Sequence, residues 1–133
     1  MTIDLLMLTW TAILCGVLFL PYVLCRIWVW GLVATVGYPK NPPALPDWAQ
    51  RAHRAHLNLV ENIGPFAALV LVAQVGGAAD PATALGATLF FWARLVQAVV
   101  HILGIPWVRT LAFFAGLIGE IIIVLEIFAS LAS

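Results

Sequence analysis

Four long apolar stretches, at roughly 3–36, 50–76, 82–103 and 108–131, make up most of the chain, and short polar or proline-rich segments separate them. Each is long enough to cross the hydrocarbon core of a bilayer, which takes about 20 residues of helix. The first exceeds that need, so it is expected to tilt, bend near Pro21 or project beyond the lipid. It lacks a basic leading region and a small-residue cleavage site, and so reads as a retained helix rather than a signal peptide. Residues 37–48, GYPKNPPALPDW, carry four prolines and predict a non-helical loop. Asp47, with Gln50 three residues on, predicts a capping box that opens the second helix. Gly76-Gly77 ends that helix, and Asp80-Pro81 offers an N-cap and a first-turn proline to the third. Gly104-Ile105-Pro106 predicts the last turn.

Composition narrows the class. Of 133 residues, 64% are apolar and 9% charged, with a mean hydropathy of +1.08. Soluble domains run nearer 45–50% apolar and about 25% charged, and one small core cannot hide the excess. A soluble enzyme is therefore excluded. A net charge of zero without any Lys/Arg run also excludes nucleic-acid binding. The fold class is all-α: one transmembrane domain over residues 1–133, an integral membrane four-helix bundle. Cys15 and Cys25 would lie about 15 Å apart along one helix, too far for a disulfide within the chain.

Charge sets an orientation. Lys40, Arg51, Arg54 and Arg109 fall at the end bearing the Pro-rich loop, with Arg26 and Arg94 in the half-helices leading to it. The opposite end holds Asp4 and Asp80 and no basic residue. The positive-inside rule then puts both termini outside and the Pro-rich loop in the cytoplasm. Trp28, Trp30, Trp48 and Trp107 mark the same end, as an interfacial aromatic belt does. Short loops without targeting signals point to a bacterial inner membrane.

The polar residues inside the spans form narrow stripes. At about 100° per residue, Arg51, Arg54, Asn58 and Glu61 occupy an arc of about 80° on the second helix. Arg94, Gln97 and His101 span about 60° on the third. Arg109, Phe113, Gly116 and Glu120 share a face of the fourth. Snorkelling to headgroups accounts for Arg51, and pairing of Arg54 or Arg94 with Glu61 would only hold helices together. Neither reading uses the surplus of arginines over the single carboxylate nearby. A cavity lined by uncompensated guanidinium groups suits an anionic guest.

Arg54-Ala55-His56-Leu57-Asn58-Leu59-Val60-Glu61-Asn62, followed by Pro65-Phe66, resembles the R-A-x-x-N-x-x-E-x-x-x-P-F signature of the MAPEG family, the membrane-associated proteins in eicosanoid and glutathione metabolism. Ala93-Arg94-Leu95 and Gly104-Ile105-Pro106-Trp107-Val108-Arg109-Thr110 extend the resemblance over nearly the whole chain. It implies a homotrimer that binds glutathione between neighbouring subunits and transfers it, as a transferase or peroxidase, to a lipophilic electrophile arriving through the bilayer. By position, Arg54, His56, Asn58, Glu61 and Asn62 would hold glutathione, with Arg94, Gln97 and His101 beside them and Arg26 reaching in from the adjacent subunit. Arg109 would stabilise the thiolate, with Thr110 next to the sulfur. The sequence departs from the family where Gln97 and His101 replace tyrosines, and Phe113 an aromatic hydroxyl. Those departures keep a second reading open: a catalytically lapsed, MAPEG-like structural or regulatory subunit of a membrane complex. A haem or metal site on His53, His56 and His101 has no accompanying Cys or Glu-x-x-His set, so no metal is expected. Glu120 and Glu126 need partners that the sequence does not name.

Overall fold

The computed structural model describes residues 1–133 and contains helices but no strands. In chain order these are α1 (Ile3–Val17), α2 (Leu20–Trp30), α3 (Leu32–Val36), α4 (Asp47–Val75), α5 (Pro81–Leu103) and α6 (Pro106–Leu131). Four stretches are long and apolar enough to cross a membrane: Ile3–Trp30, Asp47–Val75, Pro81–Leu103 and Pro106–Leu131.

The first apolar stretch is not one helix. It breaks at Leu18–Phe19, because Pro21 has no N–H to give the Val17 carbonyl and is tolerated only in the first turn of the next helix. It breaks again at Gly31, whose φ of 85° and ψ of 161° suit glycine alone. The membrane-crossing part therefore ends at Trp30. Residues 32–36 form a separate turn with no buried side chain. The Pro-rich loop that follows is non-helical, as predicted, and the Trp30 indole ties it back by donating to the Pro43 carbonyl at 2.7 Å.

The predicted capping box at Asp47 does not form. Pro46 occupies the cap, Asp47 is already helical, and the Gln50 amide donates to the Leu45 carbonyl at 2.8 Å. The Asp47 carboxylate still lies in the first turn, where the helix dipole favours it. At the other boundaries the sequence signals hold. Gly77 takes a φ of 75° after α4, and the Ala78 N–H closes onto the Ala73 carbonyl at 2.8 Å. Asp80 caps α5 reciprocally with Thr83, at 2.8 and 2.9 Å. Gly104, at φ 79°, ends α5 and hands the chain to Pro106 at the start of α6.

Helices α5 and α6 share the most extensive contact in the molecule, and α1 packs on α4 and α5. The α5–α6 approach is made by Gly86 and Gly119. A Cβ built on either would stand 2.5 Å from the other's carbonyl oxygen, so the two backbones touch. Next to this crossing Phe66 and Phe90 stack with ring centroids 3.9 Å apart, over Ile123, Val70 and Ala73. A second, smaller cluster seats Tyr22 and Cys25 of α2 on Ala49 and Ala52 of α4. Only 27 of 133 residues are buried, so most apolar side chains face outward for lipid or another protein surface to cover.

Gly119→Ala is expected to cost about 1–3 kcal/mol by overpacking against backbone, read as a lowered melting temperature in detergent. Gly16→Ala, where an added Cβ meets nothing within 4 Å, should be near neutral.

Candidate functional site

Near the loop end, the polar stripes of α4, α5 and α6 converge on one sideways cleft. It consists of three adjoining hollows. One, of about 140 Å³, is lined by Arg51, Arg54, His101, Arg109 and the Gly104–Pro106 turn. A second, of about 370 Å³, runs over Asn58, Gln97, His101, Arg109, Thr110 and the Phe113–Phe114 pair. The third, of about 330 Å³, lies against Arg54, Leu57, Asn58, Glu61, His101 and Arg109. His101 and Arg109 line all three.

The floor of the cleft is a hydrogen-bonded set. Asn58 Oδ1 accepts from Arg94 Nη2 at 2.6 Å and from Gln97 Nε2 at 3.0 Å. Both donors are buried, at 3% and 5% exposure. Arg94 therefore meets the Asn58 amide rather than Glu61, and the ion pair weighed from the sequence does not form. Because its oxygen takes both donors, Asn58 turns its own NH2 away from them. Phe90 and Phe113 flank the Arg94 guanidinium, with centroids 5.9 and 5.7 Å away.

The rim carries the free charge. Arg54 and Glu61 are exposed, and Arg109 is half-buried in the first turn of α6. Unpaired N–H groups of that turn add to its positive field. Arg51 plays a different part. Its Nε donates to the Ile102 carbonyl at 2.9 Å, capping the end of α5, which is more than snorkelling to headgroups. Three arginines against Glu61 leave the rim cationic, and a planar guanidinium fork suits a carboxylate.

Not every residue picked out from the sequence reaches the cleft. Asn62 turns its amide back to the Asn58 carbonyl at 2.7 Å. His56 lies on another face of α4, its Nδ1 2.7 Å from the Tyr22 hydroxyl. Arg26 is on that face too, with Tyr22 and Trp30 rings 4.9 and 5.6 Å from its guanidinium carbon. His53 completes this group, its ring 4.7 Å from that of Tyr22. The chain thus carries two polar faces around α4. Tyr22 was not singled out from the sequence, although it is the one tyrosine within the four spans, a signal that could have found it. Phe114 and the Gly104–Pro106 turn were likewise missed as lining.

The geometry defines a class: a multi-pass helical membrane protein with an arginine-rich polar cleft set into the side of its bundle. The chain belongs to the MAPEG family, whose family model matches residues 7–129. It is 40% identical over 72 residues to microsomal glutathione S-transferase 1 of Homo sapiens, a stretch covering 53% of this chain and 46% of that protein. The Bos taurus protein of the same name is 37% identical over 71 residues, with the same shares covered. The chain thus spans about half the length of the curated relatives it matches. No solved structure matches it.

Asn58→Ala removes the acceptor shared by Arg94 and Gln97. Stranding two buried donors is expected to cost about 1–3 kcal/mol or more, measured as a lower midpoint of unfolding without any ligand.

Proposed function

We propose that residues 1–133 act as one membrane-embedded unit that binds glutathione in this cleft and transfers its thiolate sulfur to a lipophilic electrophile. The observation that carries the reading is the placement of Arg109 on all three hollows, beside Arg54 and Glu61. Glutathione brings two carboxylates, an amine and a thiol. Arg54 suits a carboxylate, Glu61 the amine, and the NH2 of Asn58 a further acceptor. Arg94 and Gln97 act beneath, by holding Asn58. Thr110 and His101 border the sulfur.

The thiol is the difficult part. Near pKa 8.5 it is mostly protonated at pH 7, and the thiolate is the nucleophile. A shift of about two units requires about 2.7 kcal/mol. One guanidinium about 4 Å away supplies about 4 kcal/mol at an effective dielectric near 20. Arg109 thus suffices in magnitude, aided by the N-terminus of α6. The thiol proton goes to solvent, sulfur bonds to the electrophilic carbon, and the displaced group leaves with the bonding electron pair. The electrophile enters from the lipid side past Phe113 and Phe114.

We further place this site between copies in a homotrimer, with the loop end in the cytoplasm and the chain in a bacterial inner membrane. The second polar face supports the assembly, since Arg26 and His56 point away from their own chain's cleft and are available to a neighbour's.

Conjugation of glutathione to a chromogenic aryl halide tests the activity. Arg109→Ala is expected to lower kcat by about 100-fold or more, and equal rates for the two proteins refute the assignment. Glutathione at about 100 times its Kd should stabilise the fold by about 2.7 kcal/mol, and Arg54→Ala or Glu61→Ala should abolish the resulting melting shift. A shift that persists in both variants rules the cleft out. Binding without any turnover favours a lapsed subunit, for which the missing hydroxyls at Gln97, His101 and Phe113 already speak.

A further inference from the structure

Beneath the cleft, Arg94 lies across α6. A Cβ on Gly116 would stand 3.5 Å from Arg94 Cδ, an ordinary van der Waals contact, so the arginine stem lies against this face of α6. The guanidinium sends Nη2 to Asn58, while its Nε is buried without a partner. Glu120 follows Gly116 by four residues and shares its face of α6. Its Oε1 is also buried without a partner, one turn along α6 from the glycine against which the Arg94 stem lies. A buried cation in lipid is costly without a counter-charge. The other carboxylates lie elsewhere. Asp4 and Asp80 are at the terminal end, Asp47 opens α4, Glu61 is on the rim, and Glu126 is nearly two turns further along α6.

We infer that Glu120 is a positioning residue: its carboxylate holds the Arg94 guanidinium against Asn58 and so keeps the Asn58 NH2 turned into the cleft. Charge–charge attraction across a weakly screening interior needs no direct contact, and a bridging water between the two orphaned atoms would serve equally. The residue acts on the ligand only through Arg94 and Asn58. Its effect on glutathione rests on the function proposed above, whereas the charge pair itself does not.

The pair is tested by a double-mutant cycle on ligand-free protein in detergent. Glu120→Gln and Arg94→Met should each lower the melting temperature, because each strands one charge. The double variant should melt about 5 °C or more above the lower single variant. If Arg94→Met alone yields no folded protein, recovery of folded protein in the double variant is the expected rescue. Additive losses, or a double variant that also fails to fold, overturn the pair.

The positioning role is read from the glutathione Kd by calorimetry, on variants shown to be folded. Glu120→Gln should weaken binding about 10-fold, and Glu120→Asp should stay within about 3-fold of the original protein. Unchanged binding in Glu120→Gln overturns the role even if the cycle shows coupling. A parent protein that shows the coupling but binds no glutathione supports the pair and refutes the proposed ligand instead.

Discussion

A guanidinium at membrane depth has no water to fall back on, so the protein must supply each of its partners. Arg94, 3% exposed, meets that requirement in part, through Asn58 Oδ1 and two flanking aromatic rings, while its Nε stays unpartnered. Satisfying it fixes more than one side chain. The shared acceptor draws α4 to α5 at a defined register, since Arg94 and Gln97 must both reach one oxygen. Asn58 is thereby oriented, and the cleft above inherits that orientation. Of the rim arginines, Arg54 is exposed and Arg109 half-buried, and neither is drawn into this buried set.

The backbone contact between Gly86 and Gly119 works toward the same end from below. In lipid, apolar side chains gain little by leaving one hydrocarbon surface for another, and close packing of small residues becomes the main attraction between helices. Bringing α5 and α6 into backbone contact sets the separation that Arg94 must cross. It also seats Gly116 beside the arginine stem, where an added Cβ would just reach van der Waals contact. At the loop end, Gly104 and the Arg51 cap on Ile102 hold the α5–α6 turn, which presents Arg109 at the start of its helix.

Much of this was readable in advance, and the exceptions have identifiable causes. The four spans follow from hydropathy, and the α4–α5 and α5–α6 turns from Gly, Asp and Pro at their ordinary positions. Helical periodicity put Arg54, Asn58 and Glu61 on one stripe and Gln97 and His101 on another, and the structure brings the stripes together. Two local readings failed. The Asp47–Gln50 pair fitted a capping pattern, but Pro46 had already taken the cap, which moved both residues one step into the helix. The stretch 3–36 reads as one helix that bends near Pro21, and the bend is there as a break, but apolarity hides the second break at Gly31. Only the lost N–H of Pro21 and the positive φ of Gly31 divide it. The Gly86–Gly119 crossing joins residues on different helices, and no spacing within either helix reveals it. The contact between Tyr22 and His56 is hidden for the same reason, since the two lie 34 residues apart.

The departures from family pattern bear on how the proposed reaction would be driven. Gln97 gives its Nε2 to Asn58 and keeps a buried, unpartnered Oε1, so it offers no proton to a developing negative charge in the cleft. Phe113 has no hydroxyl, and its ring instead lies beside Arg94. His101 has its Nδ1 buried without a partner, which leaves Nε2 as the one ring atom that can serve the cleft. Stabilisation of charge then depends on Arg109, the first-turn N–H groups of α6 and one imidazole nitrogen. The N–H groups of the α6 first turn are held in place by the helix, and preorganised donors of this kind are usually the largest contribution to catalysis. The absence of aromatic hydroxyls therefore bears most on reactions in which the leaving group must receive a proton. It bears least on displacement of a halide, which departs as a stable anion and needs none.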